Sequence, residues 1–336
     1  MPRSDRARAA VVSVALSAGA LVLAGCGGEQ ADGAGTAQDS EGGLTVLAGF
    51  YPLEFVAARV GGDRVSVSSL TPPGVEAHDL ELAPRDVAGI GDADLVVYLE
   101  GFQPAVDEAV SQEAPDSSFE VGAVADLDVE AGGDSHEGTD EAHAEDDRDD
   151  HADEANGDDD AHDGTDPHFW LDPTKLAAVA ESTADRLAEL DPEGEEEFRD
   201  HAADLVAALA ALDEEMTMGL STCEPRTMVV SHEAYGYLAA RYDLEQVGIS
   251  GLTPDDEPSA AQMAELVAFV RDNDIRTVYY ETLVSPDVAD TIAAEAGVET
   301  AVLDPIEGLT DDSQGTDYLE IMRANLANLQ AGQPCP

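Results

Sequence analysis

Short apolar runs alternate with helical patterns along most of this 336-residue chain, and the alternation starts at Leu44. Residues 44–48, 64–70 and 94–99 are bounded by Gly, Asp or Pro and predict strands, with short helices at 52–60 and 84–91 between them. A second series follows Arg226. Its strands are predicted at 227–231, 244–249, 277–281 and 300–303, and its helices at 233–242, 259–273, 286–296 and 317–330. Ser259 is an N-cap signal and Gly297 a C-cap signal. Strands alternating with helices in both series predict two α/β lobes.

Residues 174–225 lie between the two series and predict linker helices, interrupted at Pro192. Phe198, Ala202, Leu205, Leu209, Leu212 and Met216 step by three or four, the spacing of one helical face. One helix over 193–220 would reach roughly 40 Å. It would run along both lobes and oppose wide hinge motion. The alternative is two ordinary helices inside one lobe.

The ends of the chain read differently. Arg3, Arg6 and Arg8 precede an apolar run over 9–24 that closes on Leu23-Ala24-Gly25-Cys26. This predicts a secretory leader over 1–25. A permanent span is the weaker reading, since crossing a membrane takes about 20 apolar residues. The ending resembles a bacterial lipobox, which implies cleavage before Cys26 and a lipid on that cysteine; a plain secreted protein is the alternative. Residues 26–43, rich in Gly, Ala, Asp and Ser, predict a flexible tether. The first lobe is then 44–173 and the second 226–336. Export to an oxidising compartment favours a disulfide between the remaining pair, Cys223 and Cys335, with two free thiols as the alternative.

Charge narrows the function. The chain carries 73 acidic against 15 basic residues, a formal net charge of −58, and Lys175 is its one lysine. Nucleic acid is excluded as a partner, because phosphate binding draws its affinity from Lys and Arg. Residues 126–166 are almost devoid of apolar side chains and hold His136, His143, His151 and His162. That composition predicts a disordered loop in the first lobe. It offers weak accessory metal sites, or serves only as a solvated spacer.

Of the other four histidines, His201 reads as a surface helix residue. His78 follows a predicted strand, His168 precedes the linker helices, and His232 sits where a strand ends and a helix opens. Ligands of open α/β sheets bind outside the carboxyl ends of the strands. Asp304, at another strand end, faces the same crevice, though it could instead form an Asx turn before Pro305. Three imidazoles and a carboxylate suit tetrahedral zinc, whereas manganese accepts more oxygen ligands. For any single loop histidine a surface or capping role competes with ligation.

The strings carrying these residues occur in a fixed order: Gly74-Val-Glu-Ala-His78, Asp166-Pro-His-Phe-Trp-Leu-Asp-Pro173, Ser231-His-Glu-Ala-Tyr-Gly-Tyr237, Tyr279-Tyr-Glu-Thr282 and Leu303-Asp-Pro305. The set resembles the zinc/manganese substrate-binding lipoproteins of ABC transporters, the ZnuA-like group, from about Leu44 to Gln330. That resemblance implies two α/β lobes joined by one long rigid helix, with a metal cleft between them. It implies His78, His168, His232 and Asp304 as metal ligands, with His232 favouring zinc over manganese. Glu76 and Glu281 stand on shared strings and are candidates for supporting the ligands. The implied partners are a membrane permease and a separate ATPase subunit, with the chain lipid-anchored through Cys26 on the outer face of the cytoplasmic membrane and acting as a monomer. No phosphate-binding Gly-rich loop is present, so ATP acts on another chain. A non-catalytic zinc receptor is therefore expected. The alternatives are a manganese receptor, a zinc hydrolase using His232 and Glu233, or an adhesin stabilised by its metal.

Overall fold

The computed structural model describes residues 43–130, 165–254, 258–333 and 335. The expected leader, the lipid site at Cys26 and nearly all of the tether, and His136, His143, His151 and His162, lie outside the described residues; the expected disordered loop over 126–166 is ordered at its two ends, where Glu130 bridges Thr165 and Asp166 is buried. The first lobe runs β1 (Leu44–Ala48), α1 (Tyr51–Gly61), β2 (Val65–Ser69), α2 (Pro84–Asp92), β3 (Leu95–Tyr98), α3 (Pro104–Glu113), β4 (Ser118–Glu120) and α4 (Gly122–Ala125). Two helices follow, α5 (Pro173–Leu190) and α6 (Glu195–Leu220). The second lobe runs β5 (Thr227–Val230), α7 (Gly236–Tyr242), β6 (Glu245–Gly248), α8 (Ala260–Asp272), β7 (Thr277–Tyr280), α9 (Asp287–Ala296), β8 (Glu299–Val302) and α10 (Tyr318–Gly332).

Each lobe holds a four-stranded parallel sheet, in the order β2-β1-β3-β4 and then β6-β5-β7-β8. The winding is therefore the same in both. In each, the order reverses beside the first strand, which opens a crevice at the carboxyl ends. Leu95, Val96 and Val97 of β3 are buried on both faces, as expected of a parallel strand covered by helices on each side.

The predicted strands and helices are present within a few residues, including the capping box of Ser259 with Gln262 and the left-handed Gly297 after α9. Three elements of the first lobe were not anticipated: α3, β4 and the four-residue α4. β4 is three residues long with one large apolar side chain, Phe119, so it presents almost no pattern. α3 buries only Val106, Ala109 and Val110.

α6 is 26 residues, about 39 Å long. Every apolar position of its predicted face is buried. It packs against α5 and α1 on one side and against α7 and α10 on the other, so it spans both lobes. The inner faces of the two sheets, α1, α5, α6, α7 and α10 close on one continuous apolar core that includes Val46, Trp170, Leu209, Tyr235 and Tyr318. The outer faces have separate small cores. Opening the lobes would expose part of the shared core to water, at roughly 25 cal/mol per Å².

Cys223, just beyond α6, is bonded to Cys335 in the tail beyond α10, across 112 residues. In the chain-entropy picture a loop of that size stabilises the fold by restricting the unfolded chain. Cys335→Ser is expected to cost about 2–4 kcal/mol. Calorimetry should register this as a lower thermal midpoint in the variant, and no change would contradict it.

Candidate metal centre

Four buried side chains meet between the lobes: His78, His168, His232 and Glu307. His78 comes from the loop between β2 and α2, which turns at Gly74 with φ of +78°. His168 opens the single 3-10 turn Phe169–Leu171 that leads into α5. His232 lies two residues past β5, and Glu307 lies in the loop after β8. Three of the four thus leave the carboxyl end of a strand or the loop that follows it.

Five of the six separations between the donor atoms are nearly equal. Nε2 of His168 is 3.3 Å from Nε2 of His78 and 3.4 Å from Nε2 of His232. Glu307 Oε1 is 3.3 Å from Nε2 of both His168 and His232 and 3.6 Å from that of His78. The remaining pair, His78 and His232, is within 4.8 Å. A regular tetrahedron with edges as long as those five has its centre about 2.1 Å from each corner, the length of a zinc–nitrogen bond.

Other groups aim these atoms inward. Asp166 Oδ1 lies 2.8 Å from His168 Nδ1 and also accepts the His168 backbone N–H at 2.8 Å. Glu281 Oε1 lies 2.7 Å from His232 Nδ1. A neutral imidazole that donates its Nδ1 proton to a carboxylate presents a lone pair at Nε2. Two such lone pairs therefore face Glu307 Oε1, which accepts no hydrogen bond of ordinary geometry. Electron pairs this close in a dry site repel one another unless a cation or protons lie between them. Rings of Phe102 and Trp170 pack on His78 and His168 and keep water from that side.

Protonation follows the same logic. Burial opposes a charged His168, but the Asp166 and Glu307 carboxylates outweigh it and raise its pKa. Burial likewise opposes a charged His232, and Glu281 with Glu307 holds it well above the usual range. Burial wins at His78, whose Nδ1 has no partner, and lowers its pKa. Burial would raise Glu307, yet the three imidazoles hold it well below the carboxylate range. Glu76 is pushed up to about 8 by burial and by its contact with the Glu307 carboxyl.

The structure thus brings together His78, His168 and His232, but Asp304 stands outside the cluster. Its Oδ1 accepts the Ile306 N–H at 2.8 Å and its Oδ2 the Thr282 hydroxyl at 3.3 Å. The carboxylate facing the imidazoles is Glu307, three residues on. Glu281 backs His232, and Glu76 lies against Glu307 rather than among the nitrogens. Glu233 turns to the Gly248 backbone, away from the cluster. His201 packs on α1, with Nδ1 3.1 Å from the Val60 carbonyl. Sequence reasoning missed Glu307 and Asp166. The second lay two residues before His168, where a carboxylate backing an imidazole could have been sought.

Comparison with known proteins gives the family. Residues 46–332 match the family described as ZnuA, zinc-uptake complex component A periplasmic. The chain is 35% identical over 317 residues to the high-affinity zinc uptake system protein ZnuA of Bacillus subtilis, covering 92% of this chain and 93% of that one. It is 34% identical to the zinc-binding lipoprotein AdcA of Streptococcus pneumoniae, covering 93% of this chain and 58% of AdcA. The crystal structure of the Zn(II)-bound ZnuA-like domain of that AdcA superposes with a TM-score of 0.68 at 32% identity, over 87% of this chain and 99% of that domain. The chain belongs to the ZnuA family of zinc-uptake components.

Proposed function

We propose that this protein captures Zn²⁺ outside the cytoplasm with His78, His168, His232 and Glu307 and delivers it to a membrane permease driven by a separate ATPase. The observation that carries the reading is the convergence of three nitrogens and one oxygen with five of their six separations at 3.3–3.6 Å, a donor set that fits zinc better than oxygen-loving manganese. Zinc is cargo here. The four donors fill a four-coordinate shell, and Glu233 is turned away, which favours a carrier over a hydrolase. A lipid on Cys26 and the tether over 26–43 would hold the body, as a monomer, at the outer face of the membrane. Among the described residues no helix is long and apolar enough to cross a membrane.

Competition titration of the purified body with zinc against manganese tests the cargo. Tighter manganese binding would overturn the reading. Alanine at Asp166 or Glu281 removes the carboxylate behind one imidazole and is expected to weaken zinc by about 10–100-fold. Alanine at His168, His232 or Glu307 should cost more than that, since a donor atom itself is lost. Equal, small effects at all five positions would place the ion elsewhere.

Glu281 and Glu307 raise the pKa of His232 despite its burial, so the metal-free site holds a proton there to a higher pH than a free imidazole would, and zinc must displace it. Binding at pH 7 is expected to release protons, and zinc loading should weaken as the pH falls. Calorimetry in buffers of different ionisation heat counts the protons; no release at pH 7 would contradict this account.

A further inference from the structure

Ile306 adopts φ of +62° while fully buried. For a β-branched residue the left-handed region is an outlier, and such strain persists only where the surroundings over-determine it. Here they do. Tyr235 Oη donates to the Leu303 carbonyl at 2.6 Å. Asn325 clamps Asp304 from both sides, accepting its N–H at 2.9 Å and donating to its carbonyl at 2.7 Å. Trp170 Nε1 donates to the Pro305 carbonyl at 2.7 Å. Asp304 Oδ1 then accepts the Ile306 N–H at 2.8 Å, closing an Asx turn.

The residue after the strained one is Glu307. His168 and His232 are each aimed by a carboxylate behind the ring, but nothing donates to Glu307 Oε1 in that way. Glu76 touches the Glu307 carboxyl from one side, and the backbone that carries Glu307 sets where that carboxyl starts from. Because the left-handed φ at Ile306 sets the direction in which the chain leaves it, a relaxed Ile306 would carry the carboxylate out of the cluster.

The geometry points to Asp304 as a positioning residue: its side-chain oxygen holds Ile306 in the left-handed conformation that delivers Glu307 to the three imidazoles. This rests on the zinc-site reading above. It makes Asp304 a determinant of coordination number. Without its acceptor the site becomes three imidazoles with an open position, and the preference for four-coordinate metals falls.

Cobalt(II), whose visible absorption is intense in four-coordinate and weak in higher-coordinate sites, reads this out in the full protein. The wild type must first show the intense band; its absence would overturn the zinc-site reading and this one with it. With the band present, Asp304→Ala is expected to lose it and to weaken zinc by about 10–100-fold. Asp304→Asn keeps an acceptor oxygen and is expected to retain both. Ile306→Gly removes the strain, since glycine takes positive φ freely, so Asp304→Ala in that background should recover the band. An unchanged band in Asp304→Ala would overturn the proposal. So would equal losses in the Asn and Ala variants, which would make the charge itself the contribution. If Asp304→Ala alone fails to fold, the double variant decides: a four-coordinate band supports the proposal and its loss overturns it.

Discussion

Four electron-rich atoms held 3.3–3.6 Å apart along five of their six edges, in a pocket lined by aromatic rings, repel one another, and the rest of the molecule is arranged to keep them there. A single imidazole would rotate away. Asp166 and Glu281 prevent this for two of the three, and the rings of Phe102 and His168 packed against it restrict the third. The repulsion that remains is what a divalent cation relieves on entering. Protons relieve it less well, because they must share a buried carboxylate and three nitrogens without satisfying all of them together.

The two sheets supply this convergence because both present their carboxyl ends to one crevice. His232, Glu281 and Glu307 all follow strands of the second lobe, while His78 follows a strand of the first. His168 enters from the chain between the lobes, two residues after Asp166, so the imidazole and the group that orients it arrive on one short loop. Trp170 extends the same loop into the core and donates to the Pro305 carbonyl. One loop that leads into α5 thereby touches both halves of the site.

Much of this was legible in the sequence, for physical reasons. Strands buried on both faces must be apolar runs, and loops that follow them must break with Gly, Asp or Pro, so His78 and His232 could be placed at strand ends. The stripe from Phe198 to Met216 could be read as one face because a helix repeats regularly. Glu307 could not be placed that way. It follows the left-handed Ile306 in a loop, and no periodicity describes such a loop. Asp304, at the strand end and beside a proline, looked the better donor, but its side chain is consumed in the turn. β4 was invisible because a three-residue edge strand needs hardly any apolar content.

The two halves of the molecule share one interior, and the 26-residue α6 crosses between them. Such a body has little freedom to clap shut over its cargo. A docking protein that must tell a filled receptor from an empty one would find the same outline in both, and its discrimination would rest on a handful of loop atoms at the rim of the cleft.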